Sequence, residues 1–412
     1  DGALGDLVHV VMKRLADATG VDKATFVGVI IDFSKSVGWR LGPHVGDVVP
    51  VLLESMGDPK EEVPQEEEDS TNALRANCLH AFESMVSRCP VEASAFIPDI
   101  RRAAMDFVAY NPSAYDDDSD GSGSFSGGSF SGSDDEGDDD GEGSYYSDEE
   151  DAGEDPSWVV RTASVALLDS IVRTRTDLLM EFYADCATDL VARFKSESVD
   201  GVEQGLMHLF EAVLDATAVT VEDGTVAKGP RIIGDSSVNR AVASLAGAPP
   251  VLMRQVSSEV TALIDMLEDV VKGTQAVIKS KESLGNEVAA WRLMQGLAKV
   301  TSSSFAPYVV STVDLAKKSL DRMKTDMKRK APSAWTELRK KHRQLRLQVL
   351  GTVRQLLETC EPSVFTRVDA VTSTVELALC ALEDTEDTRQ VQSEALEVIG
   401  RVAAMLRPID DF

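Results

Sequence analysis

The chain has 412 residues, of which 43% are apolar and 27% are charged, so most of it is expected to fold around a buried core. Its formal net charge of −29 argues against general nucleic-acid binding, which depends on clustered Lys and Arg. Its sequence contains no run of about 18 apolar residues, which predicts that it has no membrane-spanning segment.

Helical periodicity runs through the sequence from its first residues, and strand signals are scarce. The stretches "LRANCLHAFESMVSRC", "WVVRTASVALLDSIV" and "RQVQSEALEVIGRVAAML" each place their apolar residues on one helical face. Such a helix cannot bury its apolar stripe alone. Helices are predicted near 4–18, 22–37, 43–56, 71–89, 91–109, 157–174, 177–196, 201–217, 250–271, 282–302, 305–325, 337–360, 362–382 and 388–406.

These helices also repeat a charge pattern, in which a carboxylate precedes a basic residue by six positions. An acid just before a helix can cap its free N–H groups, and the base can reach the capping acid of a neighbouring unit. With a period near 40–47 residues, the pattern is typical of HEAT repeats. We therefore predict an all-α solenoid of about seven antiparallel helix pairs. The residues predicted to form its structural ladder are Asp69 with Arg75, Asp155 with Arg161, and Glu383 with Arg389.

Three interruptions divide the predicted array. HEAT repeats are expected over 1–109, with an acidic loop at 57–70, and again over 157–412, with an irregular loop at 218–248. Between them, 110–156 reads as an acidic, Gly- and Ser-rich insert within one repeat. Solenoids tolerate insertions at such turns because each repeat contacts only its neighbours.

The insert carries much of the negative charge, since residues 116–155 contain seventeen Asp and Glu and no base. This composition predicts a disordered, solvated segment, or an acidic arm for a basic partner. Ser133 and Ser147 precede acidic residues, as acid-directed kinases prefer, and are candidate phosphorylation sites.

A second charged stretch, 317–346, contains twelve Lys and Arg against three acids. It reads as a solvated face with a basic loop, as a contact for an acidic partner surface, as a nuclear-import signal, or as a contact for the chain's own insert. The candidate interaction patch comprises Lys328, Arg329, Lys330, Arg339, Lys340 and Lys341.

The sequence offers no catalytic or metal-binding constellation. None of its five cysteines forms a CxxC pair, and Cys78, Cys89 and Cys360 fall on apolar helix faces, which predicts buried thiols in a reducing compartment. The scattered histidines form no ligand pair. We therefore predict a protein that is not an enzyme, with no cofactor, no metal ion and no small-molecule substrate.

Three stretches in order, "LRANCLHAFESMVSRCP", "YNPSAYDDD" followed by the acidic tract, and "SWVVRTASVALLDSIVRTRTDLLMEFYADCATDLVARFK", resemble one family. It is the cullin-associated, neddylation-dissociated family of HEAT-repeat regulators, which has a Tyr-rich acidic insertion in the same repeat. The resemblance covers 22–110 and 155–217 best and extends over 345–412. It indicates an N-terminal-to-central block of a longer protein.

This resemblance implies a scaffold that wraps around an unmodified cullin and its RING-box subunit. Such a scaffold covers the lysine that accepts the ubiquitin-like modifier, and it promotes exchange of substrate receptors and assembly of ubiquitin ligases. The resemblance further implies a cytoplasmic and nuclear location.

The fold alone would also suit two other functions. A nuclear-transport receptor of HEAT repeats would bind basic cargo, and it would need acidic residues along an inner face. A phosphatase scaffold subunit would need uniform repeats without long inserts, which this sequence contradicts.

Overall fold

A computed structural model describes residues 2–61, 63–110, 156–222, 257–280, 283–329, 335–365, 368–382 and 389–406. Most of the predicted insert, including Ser133, Ser147 and Asp155, lies outside these ranges. Within them the chain consists of α-helices joined by turns and short 3-10 helices, so the all-α prediction is confirmed.

The α-helices are separated by turns, by short 3-10 helices or by stretches outside the described ranges. In chain order they are α1 (Gly2–Asp17), α2 (Gly20–Val37), α3 (Val45–Met56), α4 (Glu68–Arg88), α5 (Ile97–Val108), α6 (Trp158–Thr174), α7 (Leu179–Asp185), α8 (Ala187–Arg193), α9 (Asp200–Glu222), α10 (Ser258–Asp265), α11 (Leu267–Ser280), α12 (Leu284–Thr301), α13 (Val309–Arg329), α14 (Trp335–Thr359), α15 (Pro362–Phe365), α16 (Val368–Leu382) and α17 (Arg389–Met405).

These helices form seven pairs within the described ranges, and each pair is one repeat. A first helix, in two repeats broken into two segments, precedes a second helix that packs against it. The repeats are α1 with α2, α3 with α4, α5 with α6, α7 and α8 with α9, α10 and α11 with α12, α13 with α14, and α16 with α17.

The second helices form the inner layer of the solenoid. Each of α2, α4, α6, α9, α12 and α14 packs extensively on the next second helix, the last of which is α17, whereas neighbouring first helices touch much less. Helices crowd together on the concave side of a curved array, so the second helices line the inside of the curve. We call them the inner helices.

Central inner helices bury more than one apolar stripe because they contact a first helix and two inner neighbours. In α4, for example, Cys78, Phe82 and Met85 are fully buried, and so are Leu79 and Val86 on other parts of the circumference. Full burial of a large apolar side chain contributes about 1.5–3 kcal/mol. The sequence predicted one stripe per helix, so it underestimated how much of these helices the array covers.

The first helices of the fourth and fifth repeats differ from their predicted single helices. The helix predicted over 177–196 breaks at Cys186, and the one predicted over 250–271 breaks at Met266 and continues to Ser280. The two breaks match, since α10 packs on α7 and α11 packs on α8. Both halves of each broken helix therefore keep a neighbour.

Two predicted loops are shorter at one end than expected. Helix α4 begins at Glu68, inside the predicted acidic loop 57–70, and α9 continues to Glu222, inside the predicted loop 218–248. Helices α5 and α6, on either side of the predicted insert, pack together as one repeat.

Candidate functional site

Arg75 lies buried where the second repeat meets the third, and 2% of it is exposed. Its Nε donates to the Met56 carbonyl at 3.1 Å and its Nη2 to the Asp58 carbonyl at 2.9 Å, both at the turn between α3 and α4. The guanidinium carbon lies 5.3 Å from the ring centre of Phe107 and 4.9 Å from that of Tyr110. Arg75 thus joins the turn of its own repeat to the end of α5.

Arg161 occupies the same place one repeat later. Its Nε and Nη2 donate to the two carboxylate oxygens of Glu197 at 3.2 and 3.1 Å, and its Nη1 donates to the Tyr110 carbonyl at 3.3 Å and to Ser157 Oγ at 2.6 Å. The side chains of Arg161 and Glu197 are only 3% and 2% exposed. A bidentate, hydrogen-bonded geometry is what makes such a buried pair tolerable.

Glu197 belongs to the turn between α8 and α9, in the next repeat. Its carboxylate also accepts from Arg193 at 3.3 Å and from the Val199 backbone N–H at 3.1 Å. Arg161 therefore connects the turn of the third repeat to that of the fourth, as Arg75 connects the second to the third.

At the next junction between repeats, the inner helix supplies an acid instead of a base. Glu203 on α9 is buried and accepts a hydrogen bond from Asn286 Nδ2 on α12, which also donates to Asp200 at 3.1 Å. The inner helix supplies the acid here, and the neighbour supplies an amide.

Glu287 on α12 forms the following step. It is buried and accepts from Ser319 Oγ at 2.7 Å and from Arg322, both on α13 of the next repeat. Burial raises the pKa of the Glu287 carboxyl above its ordinary value, and the nearby Arg322 opposes that shift.

We call these contacts the polar ladder. Its members on the inner helices are Arg75, Arg161, Glu203 and Glu287, and each of them has at least one contact in the following repeat. The sequence identified Arg75 and Arg161 but missed the two acids. Arg161, Glu203 and Glu287 are each the fourth residue of an inner helix, and a charge at that position inside an apolar run was the available signal.

The predicted acidic partners need correction for Arg75. Asp69 is exposed in the first turn of α4, and Arg75 meets backbone carbonyls and aromatic rings among the described residues. The expected partner of Arg75 is the capping acid of a neighbouring repeat, but two backbone carbonyls at the turn between α3 and α4 take that place. Asp155 and Glu383 lie outside the described residues. Arg389 is exposed as the first residue of α17, so it holds no buried place in the ladder.

The predicted basic patch is described only in part. Lys328 and Arg329 belong to the last turn of α13, Lys330 falls outside the described residues, and Arg339 is half-buried on α14. Lys340 and Lys341 are exposed on the same helix.

The uncovered side of the inner helices carries ion pairs that cross from repeat to repeat. Arg292 on α12 lies 3.5 Å from Glu211 on α9, and Arg354 on α14 lies 2.9 Å from Glu394 on α17. Within α6, Arg173 pairs with Asp169 at 2.7 Å, and this hydrogen bond raises the pKa of Arg173. This surface therefore presents both charges, which suits a polar protein partner.

The described residues also bear on three other kinds of feature: a reactive thiol, a metal site and a membrane-spanning helix. Burial raises the pKa of the Cys78 and Cys89 thiols to about 12, which leaves them protonated and unreactive near neutral pH. No group of three or more His, Cys, Asp or Glu side chains among these residues could hold a metal ion. None of the helices searched in the described part has the length and apolar character that a membrane crossing requires.

Comparison with known proteins gives curated relatives of this chain. No protein-family model matches the chain. Cullin-associated NEDD8-dissociated protein 1 of Drosophila melanogaster is 25% identical over 390 residues, which is 94% of this chain and 26% of that protein. Cullin-associated NEDD8-dissociated protein 2 of Mus musculus is 34% identical over 171 residues, or 42% of this chain and 12% of that protein.

Among solved structures, importin beta crystallised in an ammonium sulfate condition superposes with a TM-score of 0.55 over 94% of this chain and 35% of that one. The identity is 11%, so this likeness shows the HEAT-type solenoid fold alone. The chain spans about a quarter (26%) of the length of the Drosophila melanogaster relative. The family resemblance seen in the sequence is confirmed, and the chain is a relative of the cullin-associated NEDD8-dissociated proteins along most of its own length.

Proposed function

We propose that this chain is a non-enzymatic scaffold segment that binds cullins in complex with their RING-box subunit. One observation carries the proposal: proteins named for cullin association and NEDD8 dissociation match the chain along 94% of its length. Within a solenoid, a segment that contacts only its neighbours can keep the surface it has in a longer protein.

The inner helices are the proposed contact surface. They form a continuous layer through all seven described repeats, and the ion pairs Glu211–Arg292 and Arg354–Glu394 link their uncovered sides. A partner that follows this layer meets charges of both signs on a backbone held by the polar ladder. Such a surface favours specificity and orientation over affinity.

Binding of the unmodified cullin over the modified one is the regulatory part of the proposal. A scaffold that covers the lysine acceptor of the ubiquitin-like modifier excludes the modified form by steric conflict. Through this preference the protein would regulate ubiquitin-ligase assembly and substrate-receptor exchange. We place it in the cytoplasm and the nucleus, where such ligases act.

A pull-down with the purified full-length protein tests the proposal. Unmodified cullin with its RING-box subunit is expected to be retained, and the NEDD8-modified complex is not. Reversing a charge on the inner layer with Arg292→Glu is expected to weaken retention. The matched control is Arg102→Glu on α5, whose side chain is 72% exposed outside the inner layer.

Equal retention of both cullin forms, or of neither, would contradict the proposal. The transport-receptor alternative calls for an acidic inner layer, and Arg173, Arg292 and Arg354 interrupt the acids there. Nothing in the described residues favours it.

A further inference from the structure

Trp39 is the most exposed of the large apolar side chains in the described residues, with 70% of its surface in contact with solvent. It lies in the 3-10 helix Gly38–His44, which links the first repeat to the second. This link is at the edge of the solenoid, away from the polar ladder and outside the inner layer. Neither the fold nor the proposed function accounts for an exposed tryptophan there.

The backbone that carries Trp39 is held firmly on both sides. Leu41, two residues on, is 1% exposed, and the Gly38 carbonyl lies 3.7 Å from Cys89 Sγ. Gly42 is buried under the Glu92 side chain, so close that a Cβ atom at Gly42 would lie 2.7 Å from the Glu92 carboxylate. Trp39 is therefore presented on a fixed platform, which lowers the entropy cost of binding through it.

One exposed cation lies beside the indole, and two others lie on the neighbouring helix ends. The guanidinium carbon of Arg40 lies 6.0 Å from the Trp39 ring centre. Lys35 is exposed one turn earlier on α2, and Arg88 is exposed next to Cys89. No salt bridge of Lys35, Arg40 or Arg88 occurs within the described part of the chain, although the whole chain has a net charge of −29.

Helix dipoles explain part of this arrangement. Lys35 and Arg88 lie in the last turns of α2 and α4, where a cation offsets the partial negative charge of the helix end. Arg40 lies outside both helices, so its place beside Trp39 has no such explanation.

A second exposed apolar residue extends the surface to the next link. Val91 is 48% exposed just before the 3-10 helix Glu92–Phe96, which contacts the Gly38–His44 helix. We call this surface the Trp39 patch. It consists of Lys35, Trp39, Arg40, Arg88 and Val91.

We propose that the Trp39 patch docks an acidic protein segment that carries an apolar side chain. Trp and Arg are the residue types that most often dominate binding at protein interfaces. Glu92 over Gly42 is an acid next to the patch, but the three cations outnumber it, so the surface favours an acidic partner. Trp39 with Val91 supplies the apolar contact for its anchor. This surface is separate from the proposed cullin-binding layer and goes beyond that function.

Fluorescence anisotropy tests this docking with the full chain and a short fluorescein-labelled peptide of Asp and Glu with a central Phe. The wild type is expected to bind the peptide, with affinity that falls as salt rises. Trp39→Ala is expected to weaken binding by about tenfold or more, and Arg40→Glu by a similar factor. Trp39→Phe is expected to restore most of the loss.

Leu396→Ala is the matched control, because Leu396 is also an exposed apolar residue, at 58%, but lies on α17. It is expected to bind like the wild type. Thermal melts should be the same for the wild type and Trp39→Ala, since Trp39 contributes little to the core.

The proposal would be overturned by absence of peptide binding to the wild type. It would also be overturned by equal binding of the wild type and Trp39→Ala. A third overturning result is Trp39-dependent binding to phosphatidylserine vesicles without peptide binding, which would assign the patch to a lipid surface. Cullin is absent from this assay, so its outcome is independent of the pull-down.

Discussion

At the scale of single residues, the chain uses buried charges to fix how one repeat meets the next. Arg161 and Glu197 are 36 positions apart in sequence and meet with almost no exposed surface. A pair of this kind contributes less to net stability than its Coulomb energy suggests, because both charges lose water. Its main effect is to favour one register between the turns of adjacent repeats, which apolar contacts specify less sharply.

We expect Arg161→Met to lower the free energy of unfolding by about 3 kcal/mol, since it leaves the Glu197 carboxylate buried with fewer partners. Arg193 and the Val199 N–H still contact that carboxylate, which limits the loss. Adding Glu197→Leu is expected to recover part of it. Urea unfolding of both single variants and the double variant measures the coupling.

The control for this cycle is Arg102→Ala, which removes an exposed ion pair to Asp99 at 2.6 Å. Exposed pairs contribute about 0–1 kcal/mol, so this variant should unfold like the wild type. If Arg161→Met behaved like Arg102→Ala, the polar ladder would have no energetic role.

At the scale of helices, apolar periodicity was enough to predict the pairing. The helices predicted near 22–37 and 157–174 agree with α2 and α6 to within two residues. Apolar periodicity did not predict breaks such as the one at Cys186. That break depends on the matching kink in the neighbouring repeat and not on local sequence. Glu197 was missed for a related reason: a turn acid has no periodic signal that reveals a partner two helices away.

Gly28 within α2 and Gly38 directly after it give a prediction about what ends this helix. Gly38 ends the helix with φ of +58° and ψ of −132°, a positive-φ conformation that costs an L-residue about 1–3 kcal/mol, whereas Gly28 lies in mid-helix. A Cβ atom would meet nothing within 4 Å at either position. Gly38→Ala should therefore destabilise the protein by about 1–3 kcal/mol, and Gly28→Ala should stabilise it by about 0.5–1 kcal/mol.

Chemical denaturation of the two variants provides the measurement, and each glycine is the control for the other because steric space is open at both. Opposite signs are the expected result. Changes of the same sign would mean that backbone conformation does not set the end of α2.

At the scale of the whole molecule, the array explains how a long acidic insert can interrupt a repeat. The carbonyl of Tyr110 accepts a hydrogen bond from Arg161, so the end of α5 and the first turn of α6 touch directly. The two helices also pack along their lengths as one repeat. The described ends of this repeat therefore contact each other directly on the two sides of the insert.

Replacing residues 115–153 with a linker of about six Gly and Ser residues should leave the helical content of the remaining chain unchanged. Closing a shorter loop costs less entropy, so the free energy of unfolding should rise by about 1 kcal/mol. Far-UV circular dichroism during thermal unfolding measures both quantities. A matched linker with the same number of residues as the insert, built from Gly and Ser alone, separates loop length from charge. Loss of cooperative unfolding in the shortened chain would mean that the insert takes part in the fold. Equal stability of the natural chain and the chain with the uncharged linker would leave partner binding as the role of the acids.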